Sequence, residues 1–155
     1  MHFLEHKIPP PFISLLSAAG MYYLSRSEFA ISIDSIIDFK AKIALVMLVF
    51  SSWIALFAVW SFKQAKTTIS PTRPNNTACL VTTGVFKYSR NPMYLSVALS
   101  LLAFAVFLAD YSALCGVVLF VMYITQFQIK PEERILKEKF GAPYDVYLTK
   151  VRRWI

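Results

Sequence analysis

Long uncharged apolar runs alternate with short polar segments along the chain. The uncharged runs cover residues 8–25, 43–62, 93–109 and 111–129, with lengths of 18, 20, 17 and 19 residues. An α-helix needs roughly 20 residues, with about 17 to 25 tolerated, to cross about 30 Å of hydrocarbon. The pattern therefore predicts an all-α integral membrane protein with about four transmembrane helices, followed by a C-terminal cytoplasmic helical segment.

The four runs are not equally suited to crossing a bilayer. The first is the weakest, because Pro9, Pro10 and Pro11 reduce its usable helix to about 14 residues, and an interfacial position stays open for it. The third and fourth runs are separated by a single charged residue, Asp110. This spacing predicts a helical hairpin with a turn at residues 109–112.

The basic residues predict the orientation of this bundle. With four crossings, 13 of the 16 Lys and Arg residues fall on one side, and Arg26, Lys40 and Lys42 fall on the other. Lys and Arg accumulate on the cytoplasmic side, so we expect both termini and the 63–92 loop in the cytoplasm, in the inner (plasma) membrane of a prokaryote. Attraction to anionic lipids explains the net charge of +7, so membrane lipids are expected partners and nucleic acid is not.

Composition narrows the possible functions. The chain is 57% hydrophobic and 16% charged, which is too apolar for a typical soluble domain. No Asp, Glu, Lys, Arg or His lies inside the four runs, and this disfavours a pump or coupled transporter. His2 and His6 have no partners at ligand spacing, so no metal site is expected. Four glycines leave no room for a glycine-rich dinucleotide or phosphate loop.

Polar chemistry is concentrated in two segments, residues 79–95 and 128–141. Locally, each resembles a helix start: Asn91 can cap with Pro92 at the first helical position, and Pro131 precedes two acidic residues. One interpretation is therefore that both segments only begin and end helices at a membrane surface. However, a tight hairpin brings both segments to the same membrane face, where they can line one pocket.

Two adjacent carboxylates, Glu132 and Glu133, stand where the fourth run ends. Such a position is unfavourable unless the carboxylates pair with cations, and Arg90, Arg134 or a cationic ligand can serve. A small zwitterion with an ammonium group and a positively charged sulfur is a chemically suitable ligand, because Phe86, Tyr88, Tyr94 and Tyr144 are nearby as cation–π partners.

The ordered motifs resemble a known family. They comprise 83–86 (Thr-Gly-Val-Phe), 90–95 (Arg-Asn-Pro-Met-Tyr-Leu), Glu132-Glu133, Phe140-Gly141, and then Tyr144, Tyr147 and 151–154 (Val-Arg-Arg-Trp). This combination, over roughly residues 78–155, is similar to the isoprenylcysteine carboxyl methyltransferase and phospholipid methyltransferase superfamily of integral-membrane methyltransferases.

The resemblance implies S-adenosylmethionine as cofactor, bound at the cytoplasmic face, with the acceptor entering from lipid. Residues 1–62 carry no family motif, so within one domain over residues 1–155 we expect 1–62 to form a two-helix scaffold and 78–155 the cofactor-binding hairpin and C-terminal helices. The implied cofactor-binding residues are Ala78, Cys79, Leu80, Val81, Phe86, Arg90, Asn91, Pro92, Met93, Tyr94, Glu132 and Glu133.

Two positions depart from the family pattern. Ser96 stands where many relatives have glycine. Gln128, a candidate substrate-binding residue, stands where the prenylcysteine enzymes resemble one another in having an arginine for the substrate carboxylate. A prenylcysteine carboxylate therefore loses its charge partner, and the resemblance supports the cofactor more firmly than that substrate.

The sequence thus predicts methyl transfer from S-adenosylmethionine to a lipophilic or small acceptor, namely a carboxylate, thiol or lipid amine. No catalytic base is identified. The alternative is a non-enzymatic small membrane scaffold or lipid-binding subunit. After Gly141, residues Tyr144, Tyr147, Leu148 and Val151 have the spacing of a short amphipathic helix, which serves as a membrane-surface brace or as a lid over the cofactor.

Overall fold

The regular secondary structure of the described residues is helical. The structure is a computed structural model that describes residues 8–33, 39–64 and 79–155. Apart from an isolated bridge between Ser32 and Asp110, these ranges contain only helices and connecting turns. The helices are α1 (Pro10–Leu24), α2 (Lys40–Gln64), a 3₁₀ turn (Gly84–Lys87), α3 (Pro92–Leu108), α4 (Leu114–Ile124), a π-helical segment (Thr125–Ile129), α5 (Lys130–Phe140) and α6 (Ala142–Lys150). The predicted all-α class is confirmed.

Two helices are long and apolar enough to cross a membrane. One is α2, with 25 residues, and the other is the continuous 27-residue helix Leu114–Phe140, which comprises α4, the π-helical segment and α5. The apolar helix α3 has 17 residues and α1 has 15, so α1 is only about 22 Å long. For α1 and α3, the prediction of a full crossing rests on the sequence alone.

One side of α2 is apolar and exposed. Its large hydrophobic side chains include Val46, Phe50, Trp53 and Leu56, each with more than half of its surface exposed. Soluble monomers rarely expose a continuous apolar surface of this kind. Lipid chains are a suitable neighbour for this side of the helix, while the opposite side packs on α3.

A tight turn joins α3 to α4, as the spacing around Asp110 predicts. Ala109 ends α3 in the left-handed conformation at φ 53°. The Asp110 carboxylate accepts hydrogen bonds from the Ser112 backbone N–H (2.7 Å), the Ser112 hydroxyl (2.5 Å) and the Ile31 N–H (3.2 Å). Burial by itself raises the pKa of Asp110, but these hydrogen bonds lower it overall. A buried ionised carboxylate thus fastens the turn to the segment that follows α1.

Helix α3 contacts α2, α1 and α4, and α1 also packs on α4. Phe62 near the end of α2 packs on Phe86 just before α3, and Gln128 just after α4 bonds to Ile8 just before α1. The starts of α1 and α3 therefore lie at the same end of the bundle as the ends of α2 and α4. This is the end at which the two polar segments meet.

The helix formed by the fourth run continues past Pro131 without a break. The sequence instead predicts that Pro131 and the two acidic residues after it form the first turn of a new helix. The helix continues through the π-helical segment, in which the Lys130 N–H bonds to the Thr125 carbonyl. Proline has no N–H to donate and crowds the preceding turn, so a wider turn before Pro131 accommodates it without a break. Helix α5 then ends at Gly141, as predicted, with φ 56°.

The amphipathic helix predicted after Gly141 is α6. Its residues Tyr144 and Tyr147, with Val151 just beyond its end, are buried in a cluster with Leu136 and Phe140 of α5. The helix therefore packs its apolar side against α5.

We expect Gly116→Ala to destabilise the protein. A Cβ at Gly116 would overlap the side chain of Met21 across the α1–α4 contact, whereas a Cβ at Gly20 has open space. Overpacking of this kind costs about 1–3 kcal/mol, so Gly116→Ala should lower the melting temperature in detergent. Gly20→Ala is the matched control and should leave it unchanged or raise it. Equal melting temperatures for Gly116→Ala and the wild type would contradict this close contact.

Candidate functional site

A cavity of about 530 Å³ lies at the end of the bundle where the polar segments meet. Its walls come from α1, α2, the segment before α3, and the helices α3, α5 and α6. This volume is within the usual range for small-molecule sites, about 300–1,000 Å³. The walls are mainly apolar and aromatic, and the charged groups are confined to the side formed by Arg90 and α5.

Eleven of the twelve residues expected to bind a cofactor line this cavity. They are Cys79, Leu80, Val81, Phe86, Arg90, Asn91, Pro92, Met93, Tyr94, Glu132 and Glu133. Ala78, the twelfth, lies outside the described residues. The hairpin therefore brings the two polar segments together. Their role toward a ligand stays a prediction.

Gln128 does not line the cavity. Its side chain is fully buried in the π-helical segment, and its amide nitrogen donates a hydrogen bond of 2.9 Å to the Ile8 carbonyl. The amide oxygen has no hydrogen-bond partner among the described residues. The structure thus places this candidate substrate-binding residue against the start of α1, where it fixes the approach of α1 to the bundle.

Phe86 is held on the cavity wall by the 3₁₀ turn. Gly84 begins this turn at φ +62°, and a Cβ there would approach the Ser61 hydroxyl to 2.8 Å. The Phe86 ring packs edge-on against Phe62 of α2, with centroids 5.1 Å apart, and its carbonyl accepts a hydrogen bond from the Tyr147 hydroxyl (2.7 Å). Three separate elements therefore fix one aromatic wall.

The position of Asn91 before Pro92 predicts that its side chain caps α3, but the structure shows no such cap. Its side chain makes no capping hydrogen bond and instead donates from Nδ2 to the Arg153 carbonyl at 2.9 Å. The N–H of Arg90 donates to the Arg152 carbonyl at 3.1 Å. The start of α3 is thus fastened to residues 152–153 rather than closed by its own side chain.

Glu132 and Tyr94 form the polar centre of the cavity. The Tyr94 hydroxyl donates a hydrogen bond of 2.6 Å to Glu132 Oε1. Glu132 lies beyond the uncharged part of its helix, and its side chain is partly accessible through the cavity. The pKa of its carboxyl group is raised to about 8, mainly because of burial. The Tyr94 hydrogen bond lowers this pKa and the neighbouring Glu133 raises it, and both effects are smaller than that of burial.

Glu133 is neutralised by two arginines. Arg153 binds it through two parallel hydrogen bonds, Nε to Oε1 at 3.0 Å and Nη2 to Oε2 at 2.6 Å. Arg90 Nη2 lies 3.0 Å from Glu133 Oε1. Arg90 is one of the partners that the sequence offers for the two carboxylates, and it pairs with Glu133. Arg153 as a partner was not foreseen, because 20 residues and a complete helix separate it from Glu133.

Helices α1 and α2 also contribute to the cavity, which the motifs did not reveal. The additional lining residues are Pro10, Pro11, Ser14, Ala55, Phe62, Ser96, Val97, Leu136, Tyr144 and Tyr147. The sequence predicts Tyr144 and Tyr147 on the apolar side of a helix, and Tyr144 also as an aromatic neighbour of a cation. Tyr88, expected as another such neighbour, does not line the cavity and is 78% exposed. The α1 and α2 residues carry no local signal, and only the antiparallel helix order places them here.

The site is suited to a ligand that joins an apolar or aromatic body to a cationic group. Glu132 is a recessed carboxylate that faces the cavity, and several aromatic side chains line the same cavity. Arg90 Nε is a buried donor without a hydrogen-bond partner in the described part of the chain. In residues 8–33, 39–64 and 79–155, no three His, Cys, Asp or Glu side chains come together to hold a metal ion.

Comparison with known proteins identifies a family and a bacterial relative. The family model described as phospholipid methyltransferase matches residues 39–143, from the start of α2 to the start of α6. An uncharacterized protein of Haemophilus influenzae is 49% identical over 63 residues, which cover 41% of this chain and 100% of that protein. No solved structure matches significantly.

We expect the Glu132 carboxyl group to lose its proton as the pH rises through about 8. Burial favours the neutral acid, so infrared difference spectra should show a protonated carboxyl band that disappears across this range. Glu132→Gln should abolish the change. Tyr94→Phe should shift it to higher pH, because the Tyr94 hydrogen bond stabilises the carboxylate. Complete ionisation of this residue near the ordinary glutamate value of 4.5 would contradict the prediction.

Proposed function

The chain belongs to the phospholipid methyltransferase family, and from this membership we propose that it is an S-adenosylmethionine-dependent methyltransferase whose reaction takes place in the cavity around Tyr94 and Glu132. The family indicates methyl transfer to lipid-like substrates. The cofactor, the location of the site and the membrane topology are our proposals.

The residues present fit this cofactor. S-adenosylmethionine carries an ammonium group, a carboxylate, a sulfonium and an adenine ring. Glu132 is a carboxylate for the cationic groups, and the Arg90 guanidinium on the cavity wall is a cation for the carboxylate. Phe86, Tyr144 and Tyr147 provide aromatic surface for the base and for a cation.

One observation carries the proposal, namely a recessed Glu132 carboxylate beside a Glu133 that is already neutralised. The Glu133 carboxylate is occupied by Arg90 and Arg153, whereas Glu132 accepts from the Tyr94 hydroxyl and faces the cavity. A carboxylate in an apolar environment is unfavourable without a cation. A cationic ligand would therefore stabilise the ionised form of Glu132.

When bound, S-adenosylmethionine supplies an already activated methyl group on a positively charged sulfur. The chain then has to orient its ligands and exclude water, and orientation alone can lower a barrier by about 7–11 kcal/mol. The aromatic rings of Phe86, Tyr144 and Tyr147 exclude water, and Tyr94 holds Glu132 Oε1 in place. An anionic acceptor such as a carboxylate or thiolate needs no further proton transfer.

We place the cavity at the cytoplasmic face of the membrane. The apolar exposed surface of α2 and the apolar part of the Leu114–Phe140 helix would lie in the bilayer. The cavity end of the bundle carries most of the basic residues, which favours the cytoplasmic leaflet. In this orientation an acceptor dissolved in the membrane reaches the cavity without crossing water.

Equilibrium binding of radiolabelled S-adenosylmethionine to the purified full chain in detergent tests the cofactor. We expect saturable binding that Glu132→Ala weakens by roughly 10- to 100-fold, because a charge-assisted contact is lost. Glu138→Ala is the matched control, since Glu138 is an exposed glutamate on the same helix and should bind like the wild type. Absence of saturable binding by a folded sample would favour the non-enzymatic membrane scaffold.

Mass spectrometry of lipid extracts tests the reaction. After incubation with the protein and S-adenosylmethionine, a lipid species heavier by one methylene group should accumulate. Its formation should require the cofactor and should fall with Glu132→Ala but not with Glu138→Ala. Cofactor binding without any methylated product would confine the protein to a binding role.

A further inference from the structure

We infer that Arg153 is a positioning residue of the ligand cavity: it joins the start of α3 to the first turn of α5 and fixes the two segments that would bind S-adenosylmethionine. This inference rests on the proposed function and concerns residues 151–154, the segment that follows α6. These residues lie behind the cavity wall rather than on it, since the lining includes none of them.

Arg153 makes contacts in two directions. Its guanidinium grips Glu133 of α5 through two parallel hydrogen bonds, at 3.0 and 2.6 Å. Its backbone carbonyl accepts the Asn91 side-chain amide at 2.9 Å, from a residue 62 positions earlier in the chain. A neighbouring backbone bond, from the Arg90 N–H to the Arg152 carbonyl, reinforces the second connection. One residue therefore ties together both polar segments.

The segment around Arg153 is itself anchored on both sides. Val151 is buried against Tyr144 and Tyr147 of α6. Trp154 packs against the main apolar core, and its indole N–H donates to the Thr125 hydroxyl in the π-helical segment at 3.2 Å. Because these contacts restrict the backbone, the Arg153 guanidinium and carbonyl present a preformed geometry to their partners.

The arrangement gives the two adjacent glutamates different roles. Glu133 is held by Arg153 and Arg90 and serves to fix their positions, which leaves Glu132 as the carboxylate that faces the ligand. Loss of Arg153 would leave Glu133 with Arg90 as its cation. Without the Arg153 hydrogen bonds, the Glu133 carboxylate and the Arg90 guanidinium that pairs with it would be free to leave their present positions.

Two variants that remove the same charge test this inference. The Arg152 side chain is exposed and its bond to Arg90 uses the backbone carbonyl, so Arg152→Ala should bind radiolabelled S-adenosylmethionine within about twofold of the wild type. Arg153→Ala should weaken binding about tenfold or more, because a charge-assisted pair is lost. Arg153→Lys keeps the charge but not the two parallel bonds, and should bind with intermediate affinity.

A double variant separates positioning from loss of the fold. If Arg153 acts through Glu133, Glu133→Gln combined with Arg153→Ala should bind no more weakly than the weaker single variant. Additive losses, or equal losses for Arg152→Ala and Arg153→Ala, would overturn the inference, as would unchanged binding by Arg153→Ala. Should Arg153→Ala fail to fold, the comparison of Arg153→Lys with Arg152→Lys decides in the same way. A folded wild type that binds no cofactor would refute the proposed function itself, a different outcome from these.

Discussion

The arrangement of the site depends on the tight turn between α3 and α4. The left-handed Ala109 and the hydrogen bonds accepted by Asp110 return the chain within a few residues, so the start of α3 and the end of the following long helix must share one end of the bundle. Tyr94 and Glu132 are 38 residues apart in the chain, and this arrangement brings the Tyr94 hydroxyl to 2.6 Å from Glu132 Oε1. A looser or differently directed turn would separate the two halves of the cavity, whatever their own sequences.

At the cavity, the uncharged part of the Leu114–Phe140 helix is followed by two adjacent carboxylates, and the fold provides each with different partners. Isolated charges in such surroundings are strongly unfavourable. Glu133 receives two guanidinium groups, whereas Glu132 receives a phenol hydroxyl and an opening toward the cavity. The first carboxylate is fully compensated by the protein. The second is stabilised by a proton near neutral pH and, in our proposal, by a cationic ligand.

The sequence predicted the all-α class, the turn at residues 109–112 and the meeting of the two polar segments, because periodicity, run length and a single Asp110 determine them locally. It could not predict that Asn91 turns away from the helix it precedes, since its partner is a carbonyl 62 residues later. It also missed the π-helical segment, because the continuity of a helix through Pro131 depends on the packing on both sides. The walls from α1 and α2 were likewise hidden, as a proline or a phenylalanine facing a cavity carries no pattern of its own.

The π-helical segment determines in which direction around the helix axis the side chains after it point. Each residue of a regular α-helix turns the chain by about 100°, and a wider turn takes in additional backbone, so it shifts the phase of the downstream side chains. Upstream, Phe120 and Ile124 face the apolar core, while downstream Glu132 and Glu133 face the cavity. One continuous helix thus packs its upstream side chains in the apolar core and presents its downstream carboxylates to the cavity.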